Sequence, residues 1–182
     1  MKRVLVPLAN GFEEIEAITI IDILRRAGAQ VVTVGLEKRN VIGSHDIKVV
    51  ADDVLAEVLD ADWDLVVLPG GVPGTPNLAE DARLIALLQR HAAEHKLTAA
   101  ICAAPAVLDG AGVAQKLKLT SHPGWADRIT TAVHTGARVE EDGFIITGQA
   151  AGSALEFSFK LVQRLFGDEK VAEVNASVLA KL

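Results

Sequence analysis

The stretch LTAAICAAPAVLDGAG, residues 97–112, holds the single cysteine of the chain, and its reading decides the rest. Thr98 to Ile101 is a short run of small and apolar residues that suits a buried central strand. From Ala103 to Gly112 the pattern turns helical, with Pro105 in the first turn. Cys102 therefore stands where a strand becomes a helix. In open α/β sheets ligands collect beyond the carboxyl ends of the strands, and a helix N-terminus at that point would favour thiolate, the nucleophilic form of the sulfur. A small core hydrophobe is the competing reading, because free cysteines are among the most buried residue types.

The same alternation of strand-like and helix-like segments continues outward in both directions. Val4 to Leu8, Gln30 to Gly35 and Leu65 to Leu68 read as strands, and Val41 to Val50 as a small hairpin turning at Gly43 and Ser44. Helices are expected over Phe12 to Ala27, ended by Gly28, and over Asp81 to Glu94. Further strands follow near Leu117 to Thr120, Arg138 to Glu140 and Phe144 to Thr147, then helices over Ser153 to Phe166 and Asp168 to Leu179. Such a series predicts βαβ units around a mostly parallel sheet, a doubly wound α/β domain over residues 1–182 with no repeat and no linker.

Composition narrows the partners. The net charge is −6, and the 18 Lys and Arg are scattered rather than clustered, which disfavours nucleic acid and anionic membranes. Aromatic residues make up only 4%, too few for base-stacking platforms. One cysteine makes no internal disulfide and no multi-thiolate zinc site, so neither an oxidising compartment nor a metal is expected. The apolar run Val4 to Val6 ends at Pro7, short of a signal-peptide core, and no stretch approaches a membrane span; a cytoplasmic location is expected. The first helix, with Ile15, Ala17, Ile18, Ile20, Ile21, Ile23, Leu24 and Ala27, is apolar on nearly every side. It needs a cover beyond the sheet, either a second copy of the chain in a homodimer or a third layer of C-terminal helices.

Two other strand ends carry chemistry. After the first strand, NGFEEIE at 10–16 places Glu13, Glu14 and Glu16 near a helix N-terminus. Stabilisation of the helix dipole accounts for Glu13 and Glu14, worth about 0.3–1 kcal/mol each. Glu16 falls among the isoleucines, where a buried carboxyl tends to keep its proton and is able to donate to a thiolate or shuttle a proton. After the third strand, PGGVPG at 69–74 offers backbone N–H groups for an oxyanion pocket, though the segment alone is also an ordinary turn. Of the histidines, His91 and His95 read as a solvated helix face rather than a metal pair, His45 lies in the hairpin turn and His134 in a polar loop. His122, held extended before Pro123, is the best candidate for the site.

Taken together, GFEEIEA at 11–17, VVLPGG at 66–71 and AAICAAPAVL at 99–108 resemble the ThiJ/PfpI superfamily. With TSHPG at 120–124 and GQAAGSALEFSFKLV at 148–162 the resemblance extends to the branch of the Parkinsonism-associated deglycase and the bacterial YajL-type proteins. It implies a flavodoxin-like fold with helices on both faces, similar to class I glutamine amidotransferases, and a homodimer. It implies that Cys102 is the reactive, easily oxidised cysteine, that Glu16 hydrogen-bonds it and lowers its pKa, that Gly70, Gly71 and Ala103 form the backbone pocket, and that His122 lines it. Arg26 matches an arginine near the dimer interface, and His45 stands where relatives can carry another. The protease branch has His after the cysteine; Ala103 here argues against a peptidase. The activity implied is cofactor-independent glyoxalase III or deglycase chemistry on methylglyoxal, glyoxal or early glycation adducts. The alternative is a redox-sensing, chaperone-like protein whose cysteine oxidises to sulfinate without catalysis.

Overall fold

In the computed structural model, which describes residues 1–181, the chain runs β1 (Arg3–Leu8), α1 (Glu14–Arg26), β2 (Gln30–Gly35), β3 (Asn40–Ile42), β4 (Lys48–Val50), β5 (Asp53–Val54) and β6 (Leu65–Leu68). It continues through α2 (Gly74–Glu80), α3 (Ala82–Ala93), β7 (Leu97–Ile101), α4 (Pro105–Gly110), β8 (Lys118–Leu119), β9 (Val133–His134), β10 (Val139–Asp142), β11 (Ile145–Gly148), α5 (Ala154–Phe166) and α6 (Asp168–Val178). Seven strands form the central sheet in the order β10-β11-β7-β6-β1-β2-β5, parallel except for the β10–β11 pair.

Why these runs are strands follows from their burial. Leu65 to Leu68 and Val4 to Leu8 carry no polar residue because both faces of the sheet are covered. Val4, Val6 and Leu8 pack with α1, α5 and Phe157 on one face. Leu5, Val66 and Leu68 pack with Leu84, Leu88 and Leu108 on the other. β1 lies between β2 and β6, so the connections leave it in opposite directions and open a crevice at the carboxyl ends of β1 and β6.

The structure adjusts several expectations. The first helix begins at Glu14 rather than Phe12, and the helix after the cysteine spans Pro105–Gly110 rather than starting at Ala103. Segment 69–74 is more than a turn, since Gly74 opens α2. β8 leaves the main sheet to pair with β9. His91 is not solvated: it is 5% exposed, with Nδ1 at 3.1 Å from Thr98 Oγ1 and Nε2 at 3.0 Å from the Trp63 carbonyl, and burial holds its pKa below the usual histidine value. On α1 the sheet and α5 cover most apolar residues, yet Ile15 (58%) and Ile18 (45%) stay exposed, so the C-terminal helices do not complete the cover. No helix among the described residues is long and apolar enough to cross a membrane.

Candidate active site

Cys102 sits at the turn between β7 and α4 with φ +64°, a left-handed conformation uncommon for a residue bearing a side chain. Both flanks hold it there. Its N–H donates to the Gly148 carbonyl at 2.9 Å, its carbonyl accepts from the His122 N–H at 2.8 Å, and the Ala104 N–H returns to Ile101 at 3.0 Å. A residue forced through a tight strand-to-helix turn presents its side chain outward at the sheet's carboxyl edge, the geometry of a nucleophile elbow. The thiol is half-buried.

Glu16, in the first turn of α1, is fully buried. Its Oε2 accepts from the Gly70 N–H at 2.8 Å and the carboxyl meets the Cys102 thiol, whereas Oε1 has no hydrogen-bond partner among the described residues. Burial outweighs that bond and pushes the carboxyl up to about 7. The loop after β6 is glycine for a steric reason: a Cβ on Gly70 would lie 2.8 Å from Cys102 Cβ and 2.9 Å from Glu16 Oε2. At Gly71, φ +101° and a Cβ only 2.4 Å from the Glu13 nitrogen exclude any side chain. Strand ends β1, β6 and β7 thus bring acid, loop and thiol together.

Three expectations change on contact with this geometry. The Gly70 N–H is not a free oxyanion donor, because Glu16 occupies it. Among the described residues the Gly71 amide, by contrast, donates to no group, and the Ala103 N–H is aimed at the Cys102 sulfur alone. Nor do the surroundings of Cys102 favour its thiolate. Burial first, and then the charge of Glu16, push the thiol up to about 12. An ionised Glu16 raises the thiol's pKa; only a protonated one lowers it. The two groups titrate as a pair that carries one negative charge and one proton over the range between their two values.

His122 reaches the elbow through its backbone, while its exposed ring accepts from the Gly124 N–H at 3.1 Å and caps the short helical turn 123–128. Arg26 lies exposed on α1, paired with Asp22 at 2.7 Å. His45 is brought by the β3–β4 hairpin to Glu14, whose burial the sequence reading missed. Glu14 is 5% exposed, and its carboxylate accepts from the His45 N–H (2.7 Å), His45 Nδ1 (2.9 Å), Ser44 Oγ (3.2 Å) and the Ile47 N–H (3.4 Å). Burial pushes this group up as well, but the His45 and backbone bonds overcome it and hold it at about 2. Glu13, Glu14 and His45 also bring three potential metal-ligand atoms within 4.8 Å of one another, but hydrogen bonds already engage the Glu14 carboxylate. His134 finds a partner in Ser121, 3.1 Å away.

The chain matches the DJ-1/PfpI family model over residues 2–164. It is 38% identical over 183 residues to Protein DJ-1 homolog B of Arabidopsis thaliana, a match covering 99% of this chain and 42% of that protein, so it spans less than half the length of that relative. It is 34% identical over 163 residues to the Glutathione-independent glyoxalase DJR-1.2 of Caenorhabditis elegans, covering 87% of this chain and 85% of the other. The crystal structure of Drosophila melanogaster DJ-1beta is similar at 39% identity with a TM-score of 0.97, covering 100% of this chain and 99% of that one.

Proposed function

The chain belongs to the DJ-1/PfpI family, and from that premise we propose that it is a cysteine-dependent, cofactor-independent enzyme of glyoxalase III or deglycase type. It acts on methylglyoxal, glyoxal or early glycation adducts. The observation that carries the reading is the elbow: a half-buried thiol at φ +64° beside a fully buried carboxyl that is held by the Gly70 amide. The name of the nematode relative, a glyoxalase independent of glutathione, supports the same chemistry.

The sulfur adds to the aldehyde carbon of methylglyoxal, forming a C–S bond while the thiol proton passes to Glu16. The Gly71 and Ala103 amides hold the new oxygen. Glu16 gives its proton to that alkoxide. As a carboxylate it then takes the hydrogen of the former aldehyde carbon and returns it to the neighbouring carbonyl carbon. The hydroxyl proton shifts between the two oxygens, which converts the hemithioacetal to a lactoyl thioester. Water cleaves the C–S bond, releasing lactate and restoring the thiol. Net consumption is one water, so no redox partner is needed. A carboxyl near pKa 7 suits both directions of transfer at neutral pH. His122 flanks the elbow and is placed second to Glu16 for any proton role.

The test is steady-state lactate formation from methylglyoxal by the wild type and the Cys102→Ser variant. Activity is expected to vanish in the variant; full turnover without the thiol sinks the mechanism. Oxidation of Cys102 to sulfinate with no wild-type turnover would favour the redox-sensing alternative.

A second copy of the chain is proposed to seat on the outer face of α1, where Ile15, Ile18 and Leu155 (42% exposed) form an apolar surface beside Arg26. His45, at the tip of the neighbouring hairpin, is the other candidate there. Sedimentation at twice the chain mass is expected, and a monomer at micromolar concentration rules it out.

A further inference from the structure

The β3–β4 hairpin stands apart from the central sheet, and its tip is fastened to the segment that leads into α1. The Gly11 N–H donates to the Ile42 carbonyl at 2.7 Å, the Ser44 N–H to Phe12 at 2.8 Å, and the Ile42 N–H to Asn10 Oδ1 at 3.0 Å. Gly43 lies so close over Glu14 that a Cβ there would be 2.2 Å from its Oε1. These bonds deliver His45 to two carboxylates at once, 2.9 Å from Glu14 Oε2 and 3.6 Å from Glu13 Oε2. Ser44 Oγ sits 3.2 Å from both acids and ties them together.

Glu13 links this cluster to the thiol. Its N–H donates to the Gly70 carbonyl at 2.9 Å, on the residue whose own N–H holds Glu16 and whose Cα abuts Cys102. The Glu13 charge reaches both Glu16 and Cys102 and disfavours a negative charge on each. The charged groups that face His45 are Glu13, Glu14 and Asp46, all negative, and the acids that face the sulfur are Glu16 and Glu13. His45 is the one ionisable partner of this cluster that changes charge near neutral pH, and its side chain is 70% exposed in the single chain. The Glu14 hydrogen bond, with the charges of Glu13 and Glu14, holds its proton above the ordinary histidine range.

We infer that His45 is a positioning residue that sets the charge felt by the Cys102–Glu16 pair: as an imidazolium it offsets Glu13 beside Glu14, and on losing its proton it leaves the Glu13 charge facing the sulfur. The hairpin tip then works as a proton-sensitive brake on the thiol, released as pH falls through the histidine's titration. This inference rests on Cys102 being reactive, as proposed above.

The experiment is the rate of iodoacetamide alkylation of the intact chain from pH 5 to 9, read by mass at its only cysteine. Wild type is compared with His45→Gln, which keeps a hydrogen-bonding side chain without charge, and His45→Arg, which keeps a cation at every pH. Glu16 titrates in all three, so the differences between profiles isolate His45. On the acid side wild type should follow His45→Arg and run about threefold faster than His45→Gln, the size expected for one unit charge partly screened by water. On the alkaline side it should fall to the His45→Gln profile. High salt should shrink the gap. Three superimposed profiles overturn the inference, as does a His45→Arg variant as slow as His45→Gln, which would show that His45 only braces the hairpin. If native Cys102 is not alkylated in any variant but reacts in denaturant, the enzyme reading falls as well, and the two failures are told apart.

Discussion

Glu14 and Glu16 are two residues apart on one helix, both nearly free of solvent contact, and they end at opposite extremes. Glu14 faces the hairpin tip, where four donors converge on its carboxylate, and its pKa is held at about 2. Glu16 faces the sheet, where one amide donates to Oε2 and Oε1 is left alone, and burial lifts it to about 7. Both are shut off from solvent, but Glu16 lies far deeper in the fold, so a larger burial penalty and fewer donors together decide which form survives. One site stores a charge; the other stores a proton. Glu16→Gln is the sharpest way to separate these roles, because the amide keeps the shape and the Gly70 bond while removing the proton transfer. Lactate formation should drop by roughly 10²–10⁴-fold with the urea midpoint unchanged or raised. An active Glu16→Gln variant would end the proton-store interpretation.

Glu14→Ala should do the reverse. Truncation leaves the His45 and Ile47 amides without their acceptor and releases the hairpin tip from α1. A partly buried donor left unpaired costs about 1–3 kcal/mol, so a loss of about 2 kcal/mol is expected in urea unfolding. Activity should fall far less than in Glu16→Gln. Equal stability in this variant and wild type would mean that the tip closes on water instead, and that the contrast between the two acids is electrostatic only.

How much of this was open to reading from sequence depends on where the partners come from. Strands such as Leu65–Leu68 and the run Val4 to Leu8 are legible because their residues are apolar on both sides, a property carried by the segment itself. Glu16 is legible because it interrupts a row of isoleucines, and Cys102 because strand gives way to helix at that position. Glu14 is not, since the donors that fix its charge, His45 foremost, lie 31 residues away in a hairpin turn that resembles any other polar loop. His91 fails for the same reason: its neighbours in sequence are polar, while its partners, Trp63 and Thr98, arrive from two other elements. The Gly70 amide reads as a free donor until the fold puts Glu16 on it.

The two acids should also tilt the pH dependence of stability in opposite directions. In the unfolded chain both titrate near 4.5; in the folded chain Glu14 moves down to about 2 and Glu16 up to about 7. Between pH 2 and 4.5 the unfolded chain binds the Glu14 proton and the folded one does not, so this residue makes stability rise with pH and its contribution is lost on acidification through that window. Between pH 4.5 and 7 the folded chain alone keeps the Glu16 proton, so stability falls as pH rises through that window. Replacing each acid by its amide should flatten one limb and spare the other: Glu16→Gln above pH 4.5, Glu14→Gln below it. Urea unfolding at half-unit pH steps reads both limbs in one series. A Glu16→Gln curve that keeps the wild-type slope between pH 5 and 7 would mean the carboxyl gives up its proton inside the fold as readily as outside it, and the thiol proton would need a different carrier.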